Sequence, residues 1–396
     1  MLYRGAPKTG DKLSILGFGC MRLPQKDGRI DEARAARQIR HAIDGGVNYI
    51  DTAWPYHGGE SEPLVGRALA GGYRERVKLA TKLPAWLVKN RADMDRFLDA
   101  QLKKLNTSRI DYYLVHSLNG SSWDGIAALG VAEFLDRAQA DGRIGTAGFS
   151  YHGMREDFPR VAGAYPWTFC QIQYNYLDEE LQAGTEGLLD AARKGLAVIA
   201  MEPLRGGTLA APPPPAIDAL WSQADRRRTP AEWALRWVWN HPEVTVVLSG
   251  MNDEAQVEEN LRIAADALPG SLTPAEVGLV ASVGRKYREI MKVACTGCGY
   301  CQPCPSGVDI PGCFDSLNAF HTFGKTREAR FQYVLRGSGI LSGQRAYASL
   351  CSQCGDCLDK CPQSLAIPDL LEQVVAQFEG DGLRDVEAMV RGLFQN

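Results

Sequence analysis

Apolar runs and amphipathic helical patterns alternate along residues 13–266. LSILGFG (13–19) precedes DEARAARQIRHAIDGG, VNYIDTA (47–53) precedes SEPLVGRALAGG, and VKLATK (77–82) precedes ADMDRFLDAQLKKL. DYYLVH (111–116) is followed by GVAEFLDRAQADG, IGTAGFS (144–150) by a short helical stretch, and FCQIQYN (169–175) by LQAGTEGLLDAARKG. LAVIAME (196–202) leads through a loop into PAEWALRWVWNH, and VTVVLSG (244–250) into DEAQVEENLRIAADA. Strands that are apolar throughout, alternating with helices, predict a parallel sheet covered on both faces. Eight such units in roughly 250 residues match the size of a closed (β/α)8 TIM barrel. An open doubly wound sheet is the alternative, but GFGCMR offers G-x-G without the third glycine of a dinucleotide fingerprint. PPPP (212–215) reads as a stiff surface loop.

LTPAEVGLVASVGRKYREIMK (272–292) predicts a further helix, with Thr273 as N-cap and Pro274 in its first turn. It runs straight into CTGCGYCQPCP (295–305), so the expected division is a barrel over 1–290 and a small, mainly α-helical domain over 291–396. With no flexible linker, the second domain is expected to pack on the first. Composition narrows the setting. Hydrophobic residues at 45% and charged residues at 23% fit a globular protein with a sizeable core. A net charge of −3 gives no sign of a nucleic-acid or membrane-surface binder. MLYRGAPKTGDKLSILGFG lacks the form of a signal peptide, and no apolar run approaches the ~20 residues of a membrane span. The expectation is a cytoplasmic protein.

In a barrel of this kind reactive side chains gather at the C-terminal ends of the strands. Those ends supply Asp51, Lys82 and His116, with Tyr56 in the loop after Asp51. Together they form an acid–base set. A tyrosine protonating a developing alkoxide needs its pKa of ~10 lowered, a neighbouring ammonium stabilises the phenolate, and a carboxylate holds the ammonium. A histidine can hydrogen-bond the substrate oxygen and polarise a carbonyl. Singly, each has a plainer reading as a cap or a buried structural group; their placement at consecutive strand ends favours the chemical one. Trp54, Trp86, Asn119, Met21 and Arg22 are candidates for the pocket wall. For Arg22 a structural ion pair is the stronger reading, and a grip on a substrate carboxylate or phosphate the weaker.

DTAWPY (51–56) followed by GESEPLVGRAL, with LATK and YLVH on the next strands, resembles the aldo-keto reductases over about residues 10–285. The resemblance implies Tyr56 as general acid, Lys82 and Asp51 tuning it, and His116 orienting the carbonyl of a small carbonyl or alcohol substrate. It also implies a nicotinamide cofactor across the barrel mouth. Ser150 and Gln171 would meet its carboxamide, PLRGG with Leu204 and Gly206 its pyrophosphate, and Glu259 and Asn260 its adenine. Two positions depart from the family pattern. Met201 stands where an aromatic usually covers the nicotinamide, and a thioether covers a ring less rigidly. Gly250 and Gln256 stand where a lysine and an arginine usually meet a 2′-phosphate, so NAD(H) is favoured weakly over NADP(H). Arg205 or Arg262 as a substitute cation keeps NADP(H) open.

Nine of the 11 cysteines crowd into residues 295–361. CSQCGDCLDKCP (351–362) is C-x2-C-x2-C-x3-C-P, the run that holds a [4Fe–4S] cluster in bacterial ferredoxins. Zinc usually takes two separated pairs. CTGCGYCQPCP shortens the last gap by one residue. In two-cluster ferredoxins the fourth cysteine of each run serves the other cluster. By that pattern Cys295, Cys298, Cys301 and Cys361 hold one cluster, and Cys351, Cys354, Cys357 and Cys304 the other. GCFDSLNAFHTF and TREARFQYVL between the runs look helical, resembling the α-helical ferredoxin modules of multisubunit redox enzymes. Cys313, Cys20 and Cys170 read as buried thiols.

A mismatch follows. Nicotinamide moves two electrons as hydride, whereas a [4Fe–4S] cluster moves one. Three readings remain open: structural or regulatory clusters, clusters serving an external one-electron carrier, or a flavin-like group at the barrel mouth. The main expectation is a carbonyl oxidoreductase. Its rival is an electron-transfer or redox-sensing protein whose barrel is a scaffold.

Overall fold

The computed structural model describes residues 1–323, 326–340 and 343–394. Its eight barrel strands are β1 (Leu16–Gly19), β2 (Tyr49–Asp51), β3 (Lys78–Leu83), β4 (Ile110–Leu118), β5 (Ile144–Tyr151), β6 (Phe169–Gln173), β7 (Ala197–Met201) and β8 (Val244–Ser249). They are parallel, pair in sequence order, and close between β8 and β1. The predicted barrel is therefore the observed fold.

One run divides. The apolar stretch 13–19 breaks at Ile15 into Lys12–Ser14, the second strand of a hairpin with Tyr3–Gly5, and the barrel strand β1. Ile15 is held from outside either strand: its carbonyl accepts from Val247 N (2.8 Å) and Trp239 Nε1 (2.9 Å). The barrel interior is filled by side chains. Tyr49, Tyr112, Phe169, Ile199 and Val246 form one buried cluster, with Leu13 and Ala6 of the hairpin segment packed into it. Edge-to-face contacts of Tyr112 with Tyr49 (5.4 Å) and Phe169 (4.8 Å) tie three strands together.

The chain resolves into two compact units. One comprises Met1–Leu204 with Arg228–Val277; the other comprises Arg205–Arg227 with Gly278–Asn396. The segment after β7 thus packs with the C-terminal region. Within it the proline run turns into structure, since Pro215 opens the helix Pro215–Trp221. The long helix begins at Pro274, where Glu276 N donates to Thr273 Oγ1 (3.2 Å) and Thr273 N to Glu276 Oε2 (2.8 Å), a capping box. The helices Ile310–Phe323 and Thr326–Gly337 form where expected, followed by Ile367–Phe378 and Leu383–Phe394. This unit has its own core, in which Phe314, Val334, Val374 and Phe378 are fully buried and Tyr333 stacks on Phe378 at 4.8 Å. Cys313 lies in that core, and Cys20 and Cys170 are buried in the barrel unit.

At Gly66 the helix Ser61–Ala68 passes close to the backbone at the end of Arg91–Lys104. A Cβ there would lie 2.7 Å from the carbonyl carbon of Leu105 and 2.8 Å from the oxygens of Leu105 and Lys104. Backbone cannot step aside as a flexible side chain can. Gly66→Ala is therefore expected to destabilise the barrel unit by about 1–3 kcal/mol, measured as a lower urea midpoint at unchanged iron content.

Candidate active site and cysteine clusters

β2 and β3 are neighbours in register, Asp51 lying opposite Ala80. This sets Asp51 and Lys82 side by side at the barrel's C-terminal end. Lys82 Nζ donates to Asp51 Oδ1 (2.7 Å), to the Thr52 carbonyl (2.8 Å) and, more loosely, to the Tyr56 hydroxyl (3.4 Å). The three donors of the ammonium are thus all engaged. Lys82 is 1% exposed and Asp51 2%. A buried pair of this kind is costly to break, since removing one partner strands the other's charge at about 3–5 kcal/mol. Asp51 Oδ2 also accepts from Gln171 Nε2 at 3.4 Å. Burial raises the Asp51 carboxyl above its ordinary range, and Lys82 and Gln171 oppose that shift.

The segment GESEPLVGRAL supports this pair from below. Glu62, fully buried, accepts from Thr81 Oγ1 (2.8 Å) and Gln101 Nε2 (2.7 Å). Gln101 Nε2 also reaches the Lys82 carbonyl (2.9 Å), and Gln101 Oε1 accepts from Tyr113 OH (2.8 Å). The backbone carrying the lysine is thereby fixed from the helix side.

Tyr56 opens a short turn, Tyr56–Gly59, in which His57 has a φ of 52°. His57 anchors the turn: its Nε2 accepts from Leu23 N (3.1 Å), and its Nδ1 faces Gln25 Nε2 (3.0 Å). His116 is placed by an irregularity. The pairing of β4 with β5 shifts register between Val115 and Leu118, Ser117 has a φ of 59°, and Ser117 N donates to Ser150 Oγ at 2.7 Å. Such bulges re-aim a side chain at a strand end. The ring of His116 ends 6.2 Å from that of Tyr56 and 5.1 Å from that of Trp86, which is 52% exposed. All four members of the acid–base set are therefore brought together.

The electrostatics differ from expectation at one point. The Tyr56 hydroxyl is raised well above its ordinary value, first by burial and then by Asp51, Glu202 and Cys20, with Arg22 opposing. The ammonium of Lys82 is committed to Asp51 and Thr52, and desolvation wins. Tyr56 is consequently a protonated phenol, the form a proton donor must hold. His116 is lowered well below its ordinary value by burial and by the charge of Lys82, and so is neutral.

Other candidates sort by their contacts. Arg22 Nη2 meets Glu202 Oε1 at 3.3 Å, the ion pair anticipated for it. Glu202, at the end of β7 with a φ of 55°, was not foreseen as part of the site; only its position after a strand end signals it. Trp54 is a packing residue, lying beneath Lys104 Nζ at 3.6 Å and against Phe97 at 5.0 Å. Asn119 caps the helix Gly120–Ala128 through Ser122 N (2.8 Å). Ser150 and Gln171 face each other in register across β5 and β6. Gln171 Oε1 is buried and has no hydrogen-bond partner among the described residues. Met201 packs at the top of the barrel core. Glu259 accepts from Thr229 Oγ1 (2.6 Å), and Asn260 Nδ2 donates to Ser249 Oγ (2.9 Å). Leu204 closes the first segment of the barrel unit, whereas Gly206 belongs to the second unit.

Within the second unit the cysteine thiols form two sets whose members feel one another's charge. Cys295 and Cys301 are influenced by Cys298 and Cys361, and Cys357 by Cys351, Cys354 and Cys304. Each set mixes three thiols of one run with the last of the other. A small void is lined by Cys304, Cys351, Cys354 and Cys357, with Cys301 of the other set also in its wall beside Ile310 and Leu371.

A closed barrel with a buried Asp–Lys pair, a protonated tyrosine and a neutral histidine at its C-terminal mouth defines an oxidoreductase of the barrel type. Residues 15–271 match the aldo/keto reductase family and residues 294–366 a 4Fe-4S dicluster domain, so the chain belongs to that family and carries an iron–sulfur module behind it. A 6-dehydroglucose reductase of Novosphingobium aromaticivorans is 29% identical over 279 residues, 65% of this chain and 88% of that protein. An L-galactose dehydrogenase of Arabidopsis thaliana is 27% identical over 281 residues, 65% and 86% of the two chains. The holo form of an aldo-keto reductase from Bacillus halodurans superposes with a TM-score of 0.61 at 26% identity, covering 72% of this chain and 96% of that one. Among the described residues no helix is long and apolar enough to cross a membrane.

A partly buried histidine generates a pH dependence. His152, hydrogen-bonded through Nδ1 to Gln182 Oε1 (3.1 Å), is pushed down by burial to about 4. An unfolded histidine takes its proton near ~6.5. Below that pH the unfolded chain binds protons that the folded one refuses, so unfolding becomes easier as pH falls from 6.5 towards 4. The urea midpoint followed by tryptophan fluorescence is expected to drop over that window, and less steeply in His152→Gln.

Proposed function

We propose that the barrel reduces or oxidises a small carbonyl or alcohol with a nicotinamide cofactor, and that two [4Fe–4S] clusters in the C-terminal module exchange electrons with an external one-electron carrier. The reading divides the chain at about residue 290, with the barrel over 1–290 and the iron–sulfur domain over 291–396. The observation that carries it is the Lys82 ammonium, which joins Asp51, Thr52 and Tyr56 beside a neutral His116.

The donor sets suit both groups. Gln171 Oε1 lacks a partner among the described residues, and the carboxamide of a nicotinamide offers the N–H it needs; Ser150 accepts from Ser117 N and retains its own O–H to donate. Met201 would cover the ring, and Leu204, Glu259 and Asn260 would serve the rest of the dinucleotide. Bound there, the nicotinamide supplies or accepts hydride. The chain's own residues do the remainder. Neutral His116 donates a hydrogen bond to the substrate oxygen, and Tyr56 gives its proton to that oxygen as negative charge develops. Lys82, held by Asp51, then stabilises the phenolate left behind. NAD(H) is the favoured cofactor. A side chain at Gly250 would meet Arg22 Cβ at 3.3 Å, and Gln256 Oε1 is taken by Asn252 N (3.0 Å).

Cys295, Cys298, Cys301 and Cys361 would hold one cluster, and Cys351, Cys354, Cys357 and Cys304 the other. Four thiolates are the donor set a cubane takes. Cys354 is exposed, with Leu350 and Leu358 exposed close by in the sequence, a surface suited to brief contact with a carrier.

Tyr56→Phe is expected to lower kcat for carbonyl reduction by about 10²–10⁴-fold while nicotinamide affinity, read by fluorescence titration, stays within a factor of two or so. Turnover near that of the wild type would show that another group is the acid. Protein purified anaerobically is expected to contain about eight iron and eight sulfide per chain, with absorption near ~400 nm. Stoichiometric zinc and a colourless protein would overturn the cluster assignment.

A further inference from the structure

The second unit carries a partly open cavity of about 460 Å³, with Gly206 and Cys295 in its wall. That volume lies within the range of small-molecule sites, roughly 300–1,000 Å³. All of its lining residues belong to this unit.

Three properties of its wall restrict the occupant. The first is position. Cys295, assigned above to a cluster, forms part of the lining, so a molecule seated here touches a cluster ligand directly. The second is shape and polarity. Pro212, Pro214, Pro311, Met291 and Ala319 contribute apolar surface, and proline rings with a thioether suit the face of a planar ring. Tyr287 and Thr322 add hydroxyls, whereas the Asn318 amide is committed to the backbone of Lys292 and Val293. The third is charge. The described lining carries two carboxylates, Asp309 and Asp315, and a single guanidinium, Arg336. That guanidinium is already paired, Nη1 to Asp315 Oδ2 at 2.7 Å. Asp309 Oδ1 accepts from Gly312 N at 3.1 Å and remains an anion without a cation of its own in the wall. A phosphate-bearing ligand, whether a nicotinamide dinucleotide or a flavin mononucleotide, finds no free cation among these groups.

The occupant is therefore uncharged, planar and beside a one-electron centre. We propose that this cavity binds a quinone, and that the iron–sulfur module reduces it. The inference rests on the cluster reading above and goes beyond it by naming the acceptor. The electron count closes within the module. Two reduced clusters release one electron each, the quinone takes both together with two protons from water, and hydroquinone leaves while both clusters return to the oxidised state. The one-electron carrier proposed above reloads them.

The test uses the full-length protein purified anaerobically, with menadione as the probe. Calorimetry is expected to find one menadione site per chain, and its affinity is expected to fall at least about tenfold in Ala319→Trp, which fills the cavity. Thr322→Trp, on another part of the wall, is expected to act likewise and guards against a misfolded first variant. Iron content and NADH-linked carbonyl reduction should be unchanged in both. Protein reduced without excess dithionite should recover its ~400 nm absorption on adding menadione, one quinone for each pair of clusters. Unaltered menadione affinity in both tryptophan variants would overturn the proposal. So would displacement of menadione by saturating NADH, which would give the cavity to the dinucleotide. If iron is absent, the cluster reading fails by itself, and the calorimetric binding still decides whether the cavity takes a quinone.

Discussion

The barrel mouth is organised around an ammonium group that has no access to water. Lys82 is held at three points, by a carboxylate, a backbone carbonyl and a phenol, and each contact constrains a different segment. The Asp51 contact ties β3 to β2. The Thr52 carbonyl fixes the chain as it leaves β2. Tyr56 lies in the turn beyond. Burial, and after it the charge of Lys82, hold the His116 imidazole well below its ordinary value. Because a desolvated charge is tolerated only when its partners are in place, the same pair that prepares the site also penalises conformations in which the site is not formed. The buried Glu62–Gln101–Thr81 group extends this order into the helix layer and ends on the Lys82 carbonyl.

How much of this could be read from the chain depends on which physical signal carries it. Strand–helix alternation is a periodicity, and periodicity is local, so the eight barrel units stand out. The reactive set was legible because barrel geometry turns positions at strand ends into neighbours. Aiming was not. His116 faces Tyr56 through a register shift and a left-handed Ser117, and neither residue type announces it. The direction of the Tyr56 shift was missed for a related reason. Proximity of a lysine argues for a lowered pKa, but the sign depends on how much solvent is lost, which is a property of packing. The break at Ile15 was hidden because both halves of LSILGFG are equally apolar, and only the Trp239 and Val247 contacts divide them. The crossed grouping of thiols came from the ferredoxin pattern, since spacing alone would group each run with itself.

The segment Arg205–Arg227 shows a different kind of limit. In sequence it is the loop between two barrel strands, and it was read as part of the barrel. In space it is compact with the C-terminal unit, where Pro212 and Pro214 line a cavity with residues from beyond position 280. A proline-rich stretch carries little helical or strand signal, so nothing local says which core it will join. That choice is made by surface matched at long range.

Charge also separates the proposed roles of the two units. At the barrel mouth the anionic Asp51 is neutralised by Lys82, and Arg22 faces Glu202, so an oxyanion can develop beside groups poised to donate to it. The cavity of the second unit is the reverse, with two carboxylates against one paired guanidinium, beside a thiol assigned to a cluster. A group that gains negative charge during reaction is favoured in the first setting and disfavoured in the second unless protons arrive with the electrons. Hydride transfer with a tyrosine proton suits the former. Quinone reduction, in which every electron is matched by a proton and the product is neutral, suits the latter. On these proposed roles one chain would hold two-electron and one-electron chemistry in separate units, each electrostatic environment favouring one of them.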